Sequence, residues 1–304
     1  MNTKCLIAAT ATILAAIAPL TARAQALLSE DFTGGTNSNS WYSFNGACLT
    51  AGSSSGSITS TGNTSYVISS GPGQIPSCLS IVSSYYNQNL VGGQNGVSGS
   101  TQTLPDPVGQ GALRFTNGAP GGYSQNGAIV SGGAPFPAGA GIQVTFKTVT
   151  YRGNSGGAGG DGADGISFYM MDGSQSPNLG AWGGSLGYTC SNANPPYNGL
   201  IGGYLAVGVD EYGNFLNGAS LMPGYGGSNS ATGDNTASGY GYKPGRIGMR
   251  GAGSIAWTSL SGTYPALFPS SWTTPQQQAA VRNTCRSGVL EDYNGTQLTY
   301  NGST

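Results

Sequence analysis

Residues 142–151 read Ile-Gln-Val-Thr-Phe-Lys-Thr-Val-Thr-Tyr. Ile142, Val144 and Phe146 fall on one side of an extended chain and Gln143, Thr145 and Lys147 on the other, because side chains in a strand alternate with a period of two. An antiparallel sheet with one packed and one wetted face asks for this pattern. Helical periodicity is nearly absent from the rest of the chain, while short alternating stretches bounded by Gly, Pro, Asn and Ser recur along it. The expectation is an all-β fold, a sandwich or barrel. Strands are predicted over 112–116, 127–130, 142–151, 165–171, 204–210 and 246–250, with one short helix over 274–286. Long loops at 52–64, 92–102, 153–162 and 216–242 separate them, and loops of that length in a compact domain carry function or motion.

The 54 Gly, 16 Pro and 7% charged residues point towards disorder when taken alone, but 38% of the chain is hydrophobic and 17 Tyr are spread along it. Those aromatics can close a core. Net charge is −1 and the basic residues are scattered, so nucleic acid is set aside as a partner. No linker divides the chain after its leader, which predicts one domain over 25–304.

The N-terminus starts Met-Asn-Thr-Lys, continues through an apolar run from Cys5 to Leu20 and reaches Ala22-Arg23-Ala24. A basic start, an apolar stretch too short to span a bilayer and a small-x-small site read as a signal peptide over 1–24, with Gln25 starting the mature protein. The expected location is secreted, periplasmic or on the cell surface, with no membrane span left after cleavage. Cys5 leaves with the leader, and Cys48, Cys78, Cys190 and Cys285 remain. An even count in an oxidising compartment predicts two disulfides. Of three possible pairings, Cys48 with Cys78 and Cys190 with Cys285 is preferred, because the first pair is local. The chain has no CxxC and no histidine, which argues against zinc.

Acidic residues number only 11, and two stretches place them in Gly-rich, apolar surroundings. One is Asp161-Gly-Ala-Asp164-Gly-Ile-Ser-Phe168. The other is Leu205-Ala-Val-Gly-Val-Asp210-Glu-Tyr212-Gly-Asn214-Phe. In the second, Asp210, Tyr212 and Asn214 share one face of an extended chain, so Asp210 and Asn214 can aim two oxygens at one point. A hard cation such as calcium takes six to eight oxygens, and the carbonyl of Tyr212 is a natural third ligand. The same spacing also suits a strand-end turn in which Asp and Asn cap their own backbone.

Val207-Gly208-Val209-Asp210-Glu211-Tyr212-Gly213-Asn214 resembles the metal loop of the L-type, or legume-lectin-like, lectins. Ala163-Asp164-Gly165-Ile166-Ser167-Phe168 resembles that family's Ala-Asp-Gly-x-Ala-Phe motif, and Gly183-Gly184-Ser185-Leu186-Gly187 its Gly-Gly-x-Leu-Gly loop. The three occur in the family's order. Softer matches around Val108, Phe115, Val144, Phe146 and 246–250 extend the resemblance over roughly 32–257. It implies a concanavalin-like antiparallel β-sandwich (jelly roll) with long loops, and a carbohydrate or glycoconjugate as partner. Carried over residue by residue, it makes Asp164 an acceptor for sugar hydroxyls behind a cis Ala163-Asp164 bond. Gly184 becomes a backbone donor with Gly183 beside it, Tyr212 a stacking ring, and Asn214 a ligand of both calcium and sugar. Asp210, Tyr212 and Asn214 would hold calcium, with Asp234 returning from the long loop to complete the set.

Departures from the family carry weight too. Gly208 stands where the family has a glutamate for a second, transition-metal ion, and Arg246 heads the strand where its metal-binding histidine is expected. No manganese site is expected. After Trp257 only 289–293 and 297–300 offer further strand pattern, so either the sheet is shorter or the chain is a piece of a longer surface protein.

Related sandwiches include glucanases. A retaining glycosidase needs two carboxylates about 5 Å apart, and the neighbours Asp210 and Glu211 point to opposite faces, as do Glu30 with Asp31 and Glu291 with Asp292. Without histidine, Ser-His-Asp and Cys-His mechanisms are excluded. The expectation is a non-enzymatic binder, with a structural or adhesive module lacking sugar binding as the alternative.

Overall fold

The computed structural model describes residues 27–54, 58–59, 72–82, 104–116, 126–137, 139, 141–149, 163–216, 244–252 and 255–301. The predicted leader, the loops 92–102 and 153–162, most of 52–64 and nearly all of 216–242, Asp234 included, lie outside those residues.

The described chain is mostly strands in small sheets, with few helices. In order they are β1 (Trp41–Asn45), β2 (Cys48–Leu49), β3 (Ile58–Thr59), β4 (Ile81–Val82), β5 (Leu113–Arg114), β6 (Gly127–Ser131), β7 (Gly165–Met171), β8 (Gly203–Asp210) and β9 (Arg246–Arg250). β1 pairs with β6, β2 with β5, and β7–β8–β9 form a three-stranded sheet, all antiparallel; the short β3–β4 pair is parallel. Cys48 bonds to Cys78 and Cys190 to Cys285, the pairing preferred from the sequence.

The β7–β8–β9 register puts Ile166, Val209 and Ile247 in one row and Phe168, Val207 and Met249 in the next. One face of this sheet is therefore wholly apolar. The other carries Ser167, Tyr169, Ala206, Gly208 and Asp210, and Tyr188, Leu200 and Phe215 pack onto it, with Leu186 and Leu216 at the margin. That covered face is where the candidate site forms.

Residues 142–149 are the main surprise. They form no strand, and Ile142, Val144 and Phe146 are 38%, 45% and 49% exposed. Alternation alone cannot make a strand. A neighbour must supply hydrogen bonds, and no described residue pairs with this segment. It touches the sheet through Phe146, whose ring stacks on Phe168 at 6.1 Å.

The predicted helix is α2 (Thr274–Ser287). Thr273 and Gln276 form a reciprocal capping box, a proline lies in the first turn, and Gly288 closes the end at φ 75°. Its Ala280, Val281, Thr284 and Cys285 are buried, a one-sided spacing. A second helix, α1 (Trp257–Thr263), was not expected. Ala256 at its start gives no side-chain cap, and it is held instead by packing: Leu260 joins Phe268, Ala280 and Val281, and the Trp257 ring meets Phe268 and Trp272. The late stretches 289–293 and 297–300 form no strand, but pair at a bridge between Glu291 and Gln297, where Leu298 N–H donates to the Leu290 carbonyl (2.8 Å).

Candidate functional site

Antiparallel pairing of β7 with β8 sets Gly165 opposite Asp210, so the start of one strand and the end of the other meet at one edge. Gly165 has φ 141°, and a Cβ there would lie 2.2 Å from the Val209 carbonyl oxygen, so only glycine fits. Asp164 precedes it. The Ala163–Asp164 peptide bond is cis, as the resemblance implies. The Asp164 carbonyl accepts the Tyr212 N–H (3.1 Å), which ties the two motifs together.

Beyond Asp210 the chain wraps around that residue's carboxylate. Gly213 N–H donates to Oδ1 (2.8 Å) and Phe215 N–H to Oδ2 (2.7 Å). The Phe215 carbonyl accepts from Arg250 Nε (2.7 Å), and the guanidinium lies 5.4 Å from the Phe215 ring centre. Asp210, Asn214, Phe215 and Arg250 are all buried. Burial pushes Arg250 down to about 10, against the opposing influence of the Tyr188 phenol and the Asp210 carboxylate.

The Gly183–Ser185 stretch is a 3-10 turn ending at Leu186, which is left-handed at φ 48°. Ser167 Oγ donates to the Leu186 carbonyl (2.6 Å) and pins the turn to β7. Groups at the start of such a turn have N–H donors that its own ladder does not use. Gly184 packs so closely on Asn214 that an added Cβ would lie 1.7 Å from Oδ1. A Cβ on Gly183 would lie 3.6 Å from Asp164 Oδ2 and 2.4 Å from Asn194 Nδ2. Asp164, Gly183, Gly184 and Asn214 therefore come together, although up to fifty residues separate them in sequence. Tyr212 sits in the same loop, half-buried.

Electrostatically the cluster is under tension. Asp164 is pushed up to about 6, first by burial and then by the charge of Asp210. Asp210 is also raised by burial, an effect opposed by backbone N–H groups of residues 213, 215 and 214 and by Arg250. The Asn214 Oδ1 atom is buried and accepts no hydrogen bond. Burying an acceptor without a partner costs about 1–3 kcal/mol, and a cation or a donor from a ligand would offset that cost.

The residues expected from the sequence to hold calcium offer oxygen donors. Asp210, the Tyr212 carbonyl and Asn214 Oδ1 are all oxygens, and the orphaned Oδ1 suits a hard cation. Among the described residues no group of three or more His, Cys, Asp or Glu side chains gathers at one point. Gly208 has no room for a side chain: a Cβ would lie 2.6 Å from the Phe215 ring. Two surface depressions, one around Glu30 and Val108 and one around Arg282 and Arg286, lie elsewhere.

Sequence reasoning had not singled out Ser167, Asn194, Phe215 or Arg250. Ser167 and Phe215 lie inside the quoted motifs: the strand register puts Ser167 on the side of Asp210, whereas alternation alone puts Phe215 opposite Asp210, and the turn after β8 is what buries it. Asn194 gave no local signal. Among the described residues, no helix is long and apolar enough to cross a membrane. Comparison of the chain with protein-family models, with curated proteins and with solved structures returned no match, which leaves the geometry of this cluster as the basis for assigning a function.

Proposed function

We propose that this protein is an exported, non-enzymatic carbohydrate-binding protein of legume-lectin-like type, binding sugar at Asp164, Gly183, Gly184, Tyr212 and Asn214. The observation that carries the reading is the buried, unpartnered Asn214 Oδ1, held against Gly184 in a cluster that also contains Asp164. A fold that had no use for this acceptor would gain by replacing it. In the proposed complex a sugar hydroxyl donates to the Asp164 carboxylate and another oxygen accepts the Gly184 N–H. The Tyr212 ring covers an apolar sugar face. A few fixed polar groups beside an aromatic surface are how a shallow site orients a polyol. Calcium, held by Asp210, the Tyr212 carbonyl, Asn214 and in the full chain Asp234, would supply positive charge between the two carboxylates and fix Asn214. The wholly apolar face of β7–β8–β9, on which Ile247 and Met249 are 72% and 65% exposed, is of the kind that a second sheet of a sandwich would cover.

The competing reading, a structural or adhesive module without sugar binding, draws on one observation: both Asp210 oxygens already accept backbone N–H groups of their own loop. The deciding experiment is a glycan array with the mature protein, run with calcium and with chelator, beside Asp164→Ala. Binding abolished by both chelator and Asp164→Ala supports the lectin and its metal loop. Binding that survives chelator but not the substitution removes calcium from the proposal, and no binding under any condition favours the structural module.

A further inference from the structure

Away from the three motifs, α2 carries two exposed arginines one turn apart, Arg282 and Arg286. Residues four apart share a helix face, and like charges there repel. A cation in the last turn meets the negative end of the helix dipole, which accounts for Arg286 but not for a second guanidinium held one turn back. Arg282 Nε donates to the Asn192 carbonyl (2.7 Å), and its guanidinium lies 4.8 Å from the Tyr197 ring centre. That bond uses one N–H, and the donors on its two terminal nitrogens remain for a ligand. Among the described residues neither arginine is paired with a carboxylate.

The groups that position Arg282 are themselves fixed. Cys190 is bonded to Cys285, and Ser191 N–H donates to the Tyr197 carbonyl (2.9 Å). Ser191 Oγ accepts the N–H groups of Ala193 (3.1 Å) and Asn194 (3.0 Å). Loop and helix are thus tied into one unit, and the guanidinium has little freedom left to lose on binding. Between them lies a depression of about 210 Å³ lined by Asn192, Ala279, Arg282, Asn283 and Arg286, none of which belongs to the Asp164–Asn214 cluster. Asn192 brings an unmet need of its own, because its Oδ1 is buried and accepts no hydrogen bond.

We propose that this depression is a second binding site, which takes an acidic sugar: a pyranose whose carboxylate has a hydroxyl on the neighbouring carbon. The two guanidiniums hold the carboxylate, Arg282 through its planar fork, and the hydroxyl donates to Asn192 Oδ1. Asp164 and Asp210 would repel such an acid, so this site complements the motif cluster rather than repeating it. The choice of a sugar as bearer of the acid rests on the carbohydrate-binding reading above, whereas the oxyanion chemistry stands without it.

The test titrates the mature, disulfide-intact protein with methyl glucuronide, methyl galacturonide, methyl glucoside, acetate and inorganic phosphate, following the arginine Nε–Hε signals by NMR. The expected result is a saturable shift with a uronide, none with the glucoside, and at least tenfold weaker binding of acetate and phosphate. Arg286→Gln, and Arg282→Lys, which keeps the charge but loses the fork, are each expected to weaken uronide binding tenfold or more while circular dichroism shows an unchanged fold. No shift with either uronide, or equal affinity in both variants, overturns the proposal. Equal binding of acetate or phosphate reduces the site to general anion attraction and overturns the sugar assignment. A protein that binds uronides through Arg282 but shows no glycan binding dependent on Asp164 loses the lectin reading and keeps this site.

Discussion

Asn214 and Gly184 touch so closely that no side chain fits between them: a Cβ on Gly184 would stand 1.7 Å from Oδ1 and 2.2 Å from Cγ of Asn214. The glycine is there for space. Gly184→Ala forces the buried amide or the turn to move, and overpacking of this kind costs about 1–3 kcal/mol. Urea denaturation is expected to show that loss, and glycan binding is expected to vanish, because both moving parts belong to the site. Unchanged binding would place the sugar elsewhere.

Asn214 itself separates stability from ligand binding. Its Oδ1 makes no hydrogen bond, so truncation forfeits packing more than polar contacts. In chelator, the vacated volume costs about 1–2 kcal/mol and loss of the unpaired acceptor returns about 1–3 kcal/mol, so Asn214→Ala is expected to leave stability nearly unchanged. In calcium the difference grows, because any metal-induced rise in Tm is lost with the ligand. Thermal melts of both proteins in calcium and in chelator check this, and equal calcium responses would remove Asn214 from the metal set.

The motifs were legible because they obey local rules. Alternation made the strand up to Asp210 readable, and its pairing with β7 brought Asp164 to Asp210, but the chain leaves strand geometry after Asp210: the extended Asp210–Asn214 face expected from the sequence is a turn that caps the Asp210 carboxylate, and that turn places Asn214. Capping chemistry made α2 readable down to its glycine stop, whereas α1, which begins without a side-chain cap, is held by tertiary contacts among its aromatics and could not be read. The segment 142–149 misled for the opposite reason: its alternation is real, but a strand also needs a partner, and sequence pattern does not say whether one is present. Asn194 lies beside the Gly183–Ser185 turn because its amide and the Pro195 carbonyl bond to the Trp182 backbone, contacts that no periodicity in the sequence announces.

Gly208 and Phe215 are in contact across the covered face of β8. A Cβ there meets the Phe215 ring at 2.6 Å, and Phe215 is fully buried. Gly208→Ala is expected to lower stability by about 1–3 kcal/mol through overpacking, with partial recovery in the double variant Gly208→Ala/Phe215→Leu. A double-mutant cycle in urea measures the coupling, and strict additivity would contradict the contact.

Asp164 makes metal-free stability depend on pH. Its folded-state value, about 6, lies above the ordinary 3.8, so between those values the folded protein binds more protons than the unfolded chain. Stability from this group therefore rises as pH falls from about 7 towards 4. Asp210, also raised, acts in the same direction. In chelator the Tm is expected to be higher at pH 5 than at pH 7.5, by about 2–4 °C for each kcal/mol involved. Asp164→Asn should flatten that dependence, and a slope unchanged by the substitution would assign the effect to other groups.

The two disulfides are expected to part company when each is removed. Loop-closure entropy grows with the enclosed length, so opening Cys190–Cys285, with its separation of 95, is expected to cost about 4–5 kcal/mol, and Cys48–Cys78, with 30, about 3–4 kcal/mol. The functional contrast is larger. Cys190 starts the loop that carries Asn194, whereas Cys48 and Cys78 pack with Leu104 in a separate cluster. Cys190→Ala/Cys285→Ala should weaken glycan binding even at a temperature where circular dichroism shows the protein fully folded. Cys48→Ala/Cys78→Ala should lower the Tm and leave affinity within twofold. If both double variants bind alike while folded, the covalent tie from α2 to the loop has no part in recognition.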